Sequence, residues 1–190
     1  MTITTLDVSS FPTNAVYDDG EGVVVDMTEL MERLKPSIES MVGTVVKETE
    51  SFGFAMGVPM WDDYNLDDKW DNPQEFVWFV YGWGPERDRY IANAIRKMRP
   101  LLRTFANDST LSLRFYGDSS LFRDIVESEV SGIFPWGDFP WGGAVIMQYD
   151  ELTLTGSVSC YKEIEDDIVT RLILGLFGKE IMVASGLPKD

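Results

Sequence analysis

Ala144-Val-Ile-Met-Gln-Tyr149 and Leu152-Thr-Leu-Thr-Gly-Ser-Val-Ser-Cys160 are separated only by Asp150-Glu151, and they read as two strands folded back on each other through a tight acidic turn. A second pair stands earlier in the chain. Phe52 to Trp61 is an apolar, glycine-containing run that suits a buried strand, and Phe76 to Trp83 is a strand whose aromatics fall on both faces; the two are expected to pair. Helical periodicity surrounds these pairs. From Asp26 to about Ser51, Met27, Leu30, Met31, Leu34, Ile38, Met41, Val42, Val45 and Val46 recur every three or four residues, with Asp26 or Thr28 as cap and a possible kink at Pro36. Pro85, Glu86 and Asp88 open a helix whose stripe runs from Ile91 through Ala94, Ile95, Met98, Leu101 and Leu102 toward Phe105, with Pro100 placed to bend or end it. Leu111 to Phe115 reads as a short strand, Ser119 as the cap of a helix from Ser120 to about Val130, and Glu163 to about Phe177 as a final helix opened by acids. Helix, two strands, helices, two strands, helix describes an α/β sandwich of the α+β kind, a central antiparallel sheet flanked by helices.

Length and charge bound what this fold can do. The 190 residues suit one core, so residues 23–190 are expected to form a single domain preceded by an arm, 1–22, rich in turn formers and without sustained period. A net charge of -16 repels nucleic-acid phosphates and anionic lipid heads. The nearest basic cluster, Arg87, Arg89, Arg96, Lys97, Arg99 and Arg103, is interleaved with apolar residues at helical spacing and reads as the wet face of a helix. No nucleic-acid or membrane partner is expected. Cys160 is the only cysteine, so no intrachain bridge can form; Met1 to Leu6 lacks a signal-peptide pattern, and no apolar stretch approaches the roughly 20 residues of a spanning helix. The expected compartment is the cytoplasm.

Two local patterns invite a ligand and are better read without one. Asp63, Asn65 and Asp67 have the early spacing of a calcium loop, but Asp68 occupies the place of its turn glycine and Gln74 that of its closing Glu, which leaves a solvated acidic tip. Gly82-Trp83-Gly84 before a helix start has the outline of an anion cradle, yet lacks the further glycines and the Lys of a phosphate loop.

Three further segments, taken in order, resemble the GlcG/HbpS or haem-degrading-domain family, nearest to its yeast-type relatives. Arg89-Tyr-Ile-Ala-Asn-Ala-Ile-Arg-Lys97 after a strand pair is similar to the family's helix of Ala, Ile and Lys. Leu113-Arg-Phe-Tyr-Gly-Asp-Ser-Ser120 resembles a Leu-Arg-Phe-Gly-His-Ser-Ser pattern. Gly142-Gly-Ala-Val-Ile146, Ser157-Val-Ser159 and Glu165-Asp166-Asp167 look like the family's Gly-Gly-Val-Pro-Ile, Gly-Val-Ser-Gly and Glu-Asp-Asp/Glu series. The resemblance implies a profilin-like α/β/α sandwich that assembles into homo-oligomers, dimers or larger, and a role with haem. The chain departs from the family pattern at Trp141 and Asp118, where those relatives carry His, and it contains no histidine at all. Haem ligation would fall to Met, Tyr, Cys160 or Lys97.

Without histidine, Ser-His-Asp and Cys-His chemistry is impossible, and a zinc site would need carboxylates, so no metal is expected. What remains is carboxylates, hydroxyls, Arg or Lys, and aromatic walls. Candidate catalytic residues are Asp118, Arg114, Lys97 and Asp138, with Glu165 and Asp166 after the last strand as further acids. Candidate ligand-binding residues are Trp136, Phe139 and Trp141 on the duplicated Phe-Pro-Trp-Gly loop, together with Tyr116, Ser119, Ser120 and Trp83. Each has a structural counterpart: Asp118 suits a cap, Glu165 and Asp166 suit a helix dipole, the tryptophans suit a subunit contact, and Cys160 suits the core. Three functions follow. The first is a cofactor-free enzyme or binder for a hydrophobic, ring-containing molecule, with isomerisation, cyclisation or dehydration as reaction types. The others are haem binding or turnover, and non-enzymatic assembly.

Overall fold

The computed structural model describes residues 8, 16–18, 22, 24–45, 50–59, 76–107, 143–149, 152–160, 162–184 and 186. In chain order these form β1 (Val16–Asp18), β2 (Val24–Asp26), α1 (Met27–Val45), β3 (Phe52–Pro59), β4 (Phe76–Trp83), α2 (Arg87–Asn107), β5 (Ala144–Tyr149), β6 (Leu152–Ser159) and α3 (Glu163–Ala184). The two expected strand pairs are antiparallel, β3 with β4 from Phe52↔Trp83 to Pro59↔Phe76, and β5 with β6 from Ala144↔Ser157 to Tyr149↔Leu152. A third antiparallel pairing, β3 with β6 from Gly53↔Ser159 to Gly57↔Thr155, joins them into one sheet of order β4-β3-β6-β5.

Alternation along these strands builds two cores, because side chains of a strand point to opposite faces in turn. On one face Phe52, Phe54, Met56, Phe79, Val145, Leu154 and Val158 meet the stripes of α1 (Met27, Leu30, Met31, Leu34, Ile38) and α3 (Val169, Ile173, Phe177, Ile181). Phe177 sits between Phe54 and Phe79, with ring centroids at 6.1 and 5.9 Å. On the other face Ala55, Ala144 and Ile146 meet Ile91, Ala94, Ile95 and Met98 of α2. Small residues on this second face bring α2 close. A Cβ on Gly53 would stand 2.3 Å from the backbone of Tyr90 and Ile91, so the start of α2 rests on bare strand backbone.

Capping follows the sequence at the start of α1, and a distant hydroxyl supplies it ahead of α2. Asp26 Oδ1 accepts the N–H groups of Thr28 and Glu29, each at 2.9 Å, which makes Asp26 the cap of α1. The Ser51 hydroxyl accepts the Glu86 N–H at 3.0 Å ahead of α2. α2 runs through position 100 to Asn107, in keeping with the stripe toward Phe105, so Pro100 does not end it. Two boundaries differ from expectation. α3 extends past Phe177 to Ala184, because burial of Ile181 outweighs the roughly 1 kcal/mol that a mid-helix glycine such as Gly178 costs. Part of the supposed arm is ordered: Val16–Asp18 pairs with Val24–Asp26 into a ribbon leading into α1, with Tyr17 and Val25 against the core. The expected strand over 111–115, helix over 120–130 and acidic tip over 62–71 lie outside the described residues.

Candidate functional site

The strand register gathers one end of the sheet into a row: Trp83 opposite Phe52, Gly53 opposite Ser159, and Ala144 opposite Ser157. Gly143 and Cys160 extend the row by one residue on β5 and β6. The duplicated Phe-Pro-Trp-Gly segment joins the described structure at Gly143.

Into this end α2 delivers Lys97. The residue flanks the apolar stripe of its helix and is buried at 3% exposure, and its ammonium donates to the Val158 carbonyl at 3.2 Å and to Asp166 Oδ2 at 2.5 Å. Asp166, at 1% exposure, belongs to the first turn of α3, where free N–H groups and the helix dipole favour a carboxylate. Its other oxygen accepts from the Cys160 N–H at 3.0 Å and faces the Cys160 sulfur at 3.3 Å. One carboxylate thus closes the end of β6, pairs a buried cation from α2 and anchors α3. α2 and α3 lie on opposite faces, so the ion pair binds the two helical layers around the rim of the sheet.

Thr170 completes the arrangement one turn along α3 from Asp166. Its hydroxyl accepts the Val158 N–H at 2.9 Å and donates to the Gly143 carbonyl at 2.7 Å, while the direct Val158-to-Gly143 bond is stretched to 3.4 Å. The hydroxyl is spliced into the β5–β6 ladder and spreads its end. Gly143 adopts φ 102°, and a Cβ there would lie 2.5 Å from the Asp166 Cβ and 3.3 Å from the Lys97 ammonium nitrogen. A side chain here would collide with the ion pair, so only glycine lets the start of β5 pass this close to it.

Lys97 is therefore a desolvated ammonium with three N–H donors, two of them engaged by acceptors among the described residues. A donor held in a low-dielectric site can stabilise negative charge developing on a carbonyl or hydroxyl oxygen far better than one in water. Cys160 offers little nucleophilicity. Burial foremost, then the Asp166 charge and hydrogen bond, push its thiol well above the ordinary range, so it stays protonated. For the same reason the residues of this site do not fit haem: the available sulfur faces a carboxylate that repels the thiolate, and imidazole is absent from the chain. Among the described residues, no cluster of three His, Cys, Asp or Glu side chains is placed to hold a metal ion, and no helix is long and apolar enough to cross a membrane.

Of the candidates drawn from sequence, the structure places Lys97 and Trp83 at this same end. Trp83 is half-buried, stacked on Phe52 at 4.2 Å and edge-on to Tyr81 at 6.1 Å. Asp118, Arg114, Asp138, Trp136, Phe139, Trp141, Tyr116, Ser119 and Ser120 lie outside the described residues. Glu165 and Asp166 separate: Asp166 turns inward, whereas Glu165 is partly exposed and accepts the Lys162 N–H at 3.4 Å. Sequence reasoning missed Thr170 and Gly143. The signal for Thr170 was present, since Asp166 and Thr170 are the polar members of the stripe that continues through Ile173, Phe177 and Ile181. Comparison of the chain with protein-family models, with curated proteins and with solved structures gives no match in any of the three.

Proposed function

We propose that this chain binds a hydrophobic, ring-containing organic molecule at the Lys97–Asp166 end of its sheet and acts on it without a cofactor. One observation carries the proposal: a desolvated, carboxylate-paired ammonium stands beside Gly143, the residue through which the Phe139-Pro-Trp-Gly-Gly143 segment joins β5. Trp141 stands two residues before Gly143 in sequence, and in this reading its ring serves as an apolar wall for the guest. In this scheme Lys97 donates a hydrogen bond, or a proton, to an oxygen of the guest, Asp166 holds the ammonium in place, and Trp141 and Trp136 supply apolar contact. Redox-neutral reactions, such as isomerisation, cyclisation or dehydration, suit such a donor because they call for no electron carrier. The single buried thiol accords with a reducing compartment, the cytoplasm.

An anionic aromatic probe tests the proposal directly. Titration with 8-anilinonaphthalene-1-sulfonate is expected to give saturable fluorescence enhancement on the native chain, sharply reduced in Lys97→Met and in Trp141→Ala variants whose circular dichroism is unchanged. Absence of enhancement, or equal affinity in both variants, overturns it. Haem added in parallel is expected to leave its Soret band unshifted.

A further inference from the structure

We infer that α3 is the contact surface of a two-fold homodimer, in which two copies of the helix pack antiparallel about Leu172. A surface helix ordinarily turns a polar face to water. α3 does not. Opposite its buried stripe it exposes Ile168 (40%), Leu172 (39%) and Val183 (64%), with Leu176 half-buried beside them. Ile168, Leu172 and Leu176 follow one another at intervals of four and so form a continuous ridge.

The charges on this face select a second copy over other occupants. The chain carries a net charge of -16, which sets most of its surface against an identical neighbour. The outer face of α3 is locally balanced. Asp167 and Arg171 neutralise each other through an i,i+4 pair at 2.9 Å, and Glu180 is taken by Arg33 of α1. That leaves Glu165 toward one end of the helix and Lys179 toward the other, and Leu172 lies midway between them in sequence. An isologous contact brings residue i of one copy to residue j of the other and j to i. Centred on Leu172, it sets Glu165 against the partner's Lys179 and Lys179 against the partner's Glu165, while Ile168 meets the partner's Leu176. The hydrophobic ridge and both charge pairs are satisfied in a single register. This inference stands apart from the ligand site and does not depend on it.

Light scattering coupled to gel filtration tests it, with charge reversal as the discriminating arm. The wild-type chain is expected to run across the micromolar range as a species of twice the 21.5 kDa chain mass. Leu172→Glu is expected to be a monomer. Glu165→Lys, at a partly exposed position, and Lys179→Glu, at an exposed one, are expected to leave the circular dichroism unchanged and should each weaken dimerisation about tenfold, since each turns two symmetric attractions into repulsions. The double variant Glu165→Lys/Lys179→Glu restores the pairs and should return to wild-type affinity. A monomeric wild type, a Leu172→Glu dimer, or a double variant no tighter than the singles overturns the assignment.

Discussion

Removing one partner of the Lys97–Asp166 pair should cost far more than removing both. In Asp166→Asn the shape is kept, but the Lys97 ammonium loses its counter-charge at 3% exposure and one acceptor oxygen becomes a donor facing other donors. A buried charge stripped of its partner costs about 3–5 kcal/mol. Lys97→Met should fall at the lower end of that range, about 3 kcal/mol, because the Asp166 carboxylate keeps the Cys160 N–H as a donor. The double variant Lys97→Met/Asp166→Asn buries no charge, and its remaining defect is an imperfectly satisfied amide, worth about 1–3 kcal/mol. The sum of the two single losses therefore exceeds the double loss by a coupling of at least about 3 kcal/mol. Urea denaturation followed by tryptophan fluorescence reads this out: with m near 2 kcal/mol per molar, Asp166→Asn lowers the midpoint by about 2 M at unchanged m. Single variants within about 0.3 M of wild type, or losses that simply add, would refute the view of this pair as a desolvated tie between α2 and α3.

Two further outcomes follow. Burial and the Asp166 charge raise the Cys160 thiol, so above an unfolded-state value of about 8.5 the unfolded chain releases a proton that the folded chain retains, and stability declines with pH at up to about 1.4 kcal/mol per unit. Cys160→Ala should lack this alkaline decline when the two are compared between about pH 9 and 10.5, and parallel curves would contradict it. Gly143→Ala places a Cβ 2.5 Å from the Asp166 Cβ at a positive φ, and should lose about 2 kcal/mol or more by thermal or urea unfolding; a neutral effect would mean that this backbone turn is not required.

The sheet was legible because its signals are local. The pairing of each two successive runs could be read from their order and composition, whereas the register of Phe76–Trp83 on Phe52–Pro59 could not, because no tight turn joins them to fix it. The length of α3 was not: the sequence reading stopped at about Phe177, and only the burial of Ile181 shows that the stripe continues. The ribbon Val16–Asp18 with Val24–Asp26 is too short to show a period. At the site, Lys97 was singled out from its residue type alone. Asp166 was named beside Glu165 as a further acid, but its pairing with Lys97 could not be read, because it stands 69 positions away and shares every local feature of a dipole-serving acid with Glu165. Only packing that turns one of the two inward separates them.

The strand order carries a kinetic consequence. Among the described residues, two strand pairs are fused by a long-range seam, Gly53–Gly57 on Thr155–Ser159, which forms across roughly a hundred residues of intervening chain. Hairpins zip in microseconds, whereas closing so large a loop is entropically slow, so the rate at which this chain reaches its native state is governed by how readily β3 captures β6. Between hairpin closure and that capture, both β3 and β6 are open edges, and the nascent chain passes through an interval in which strand exchange with its neighbours competes with self-completion.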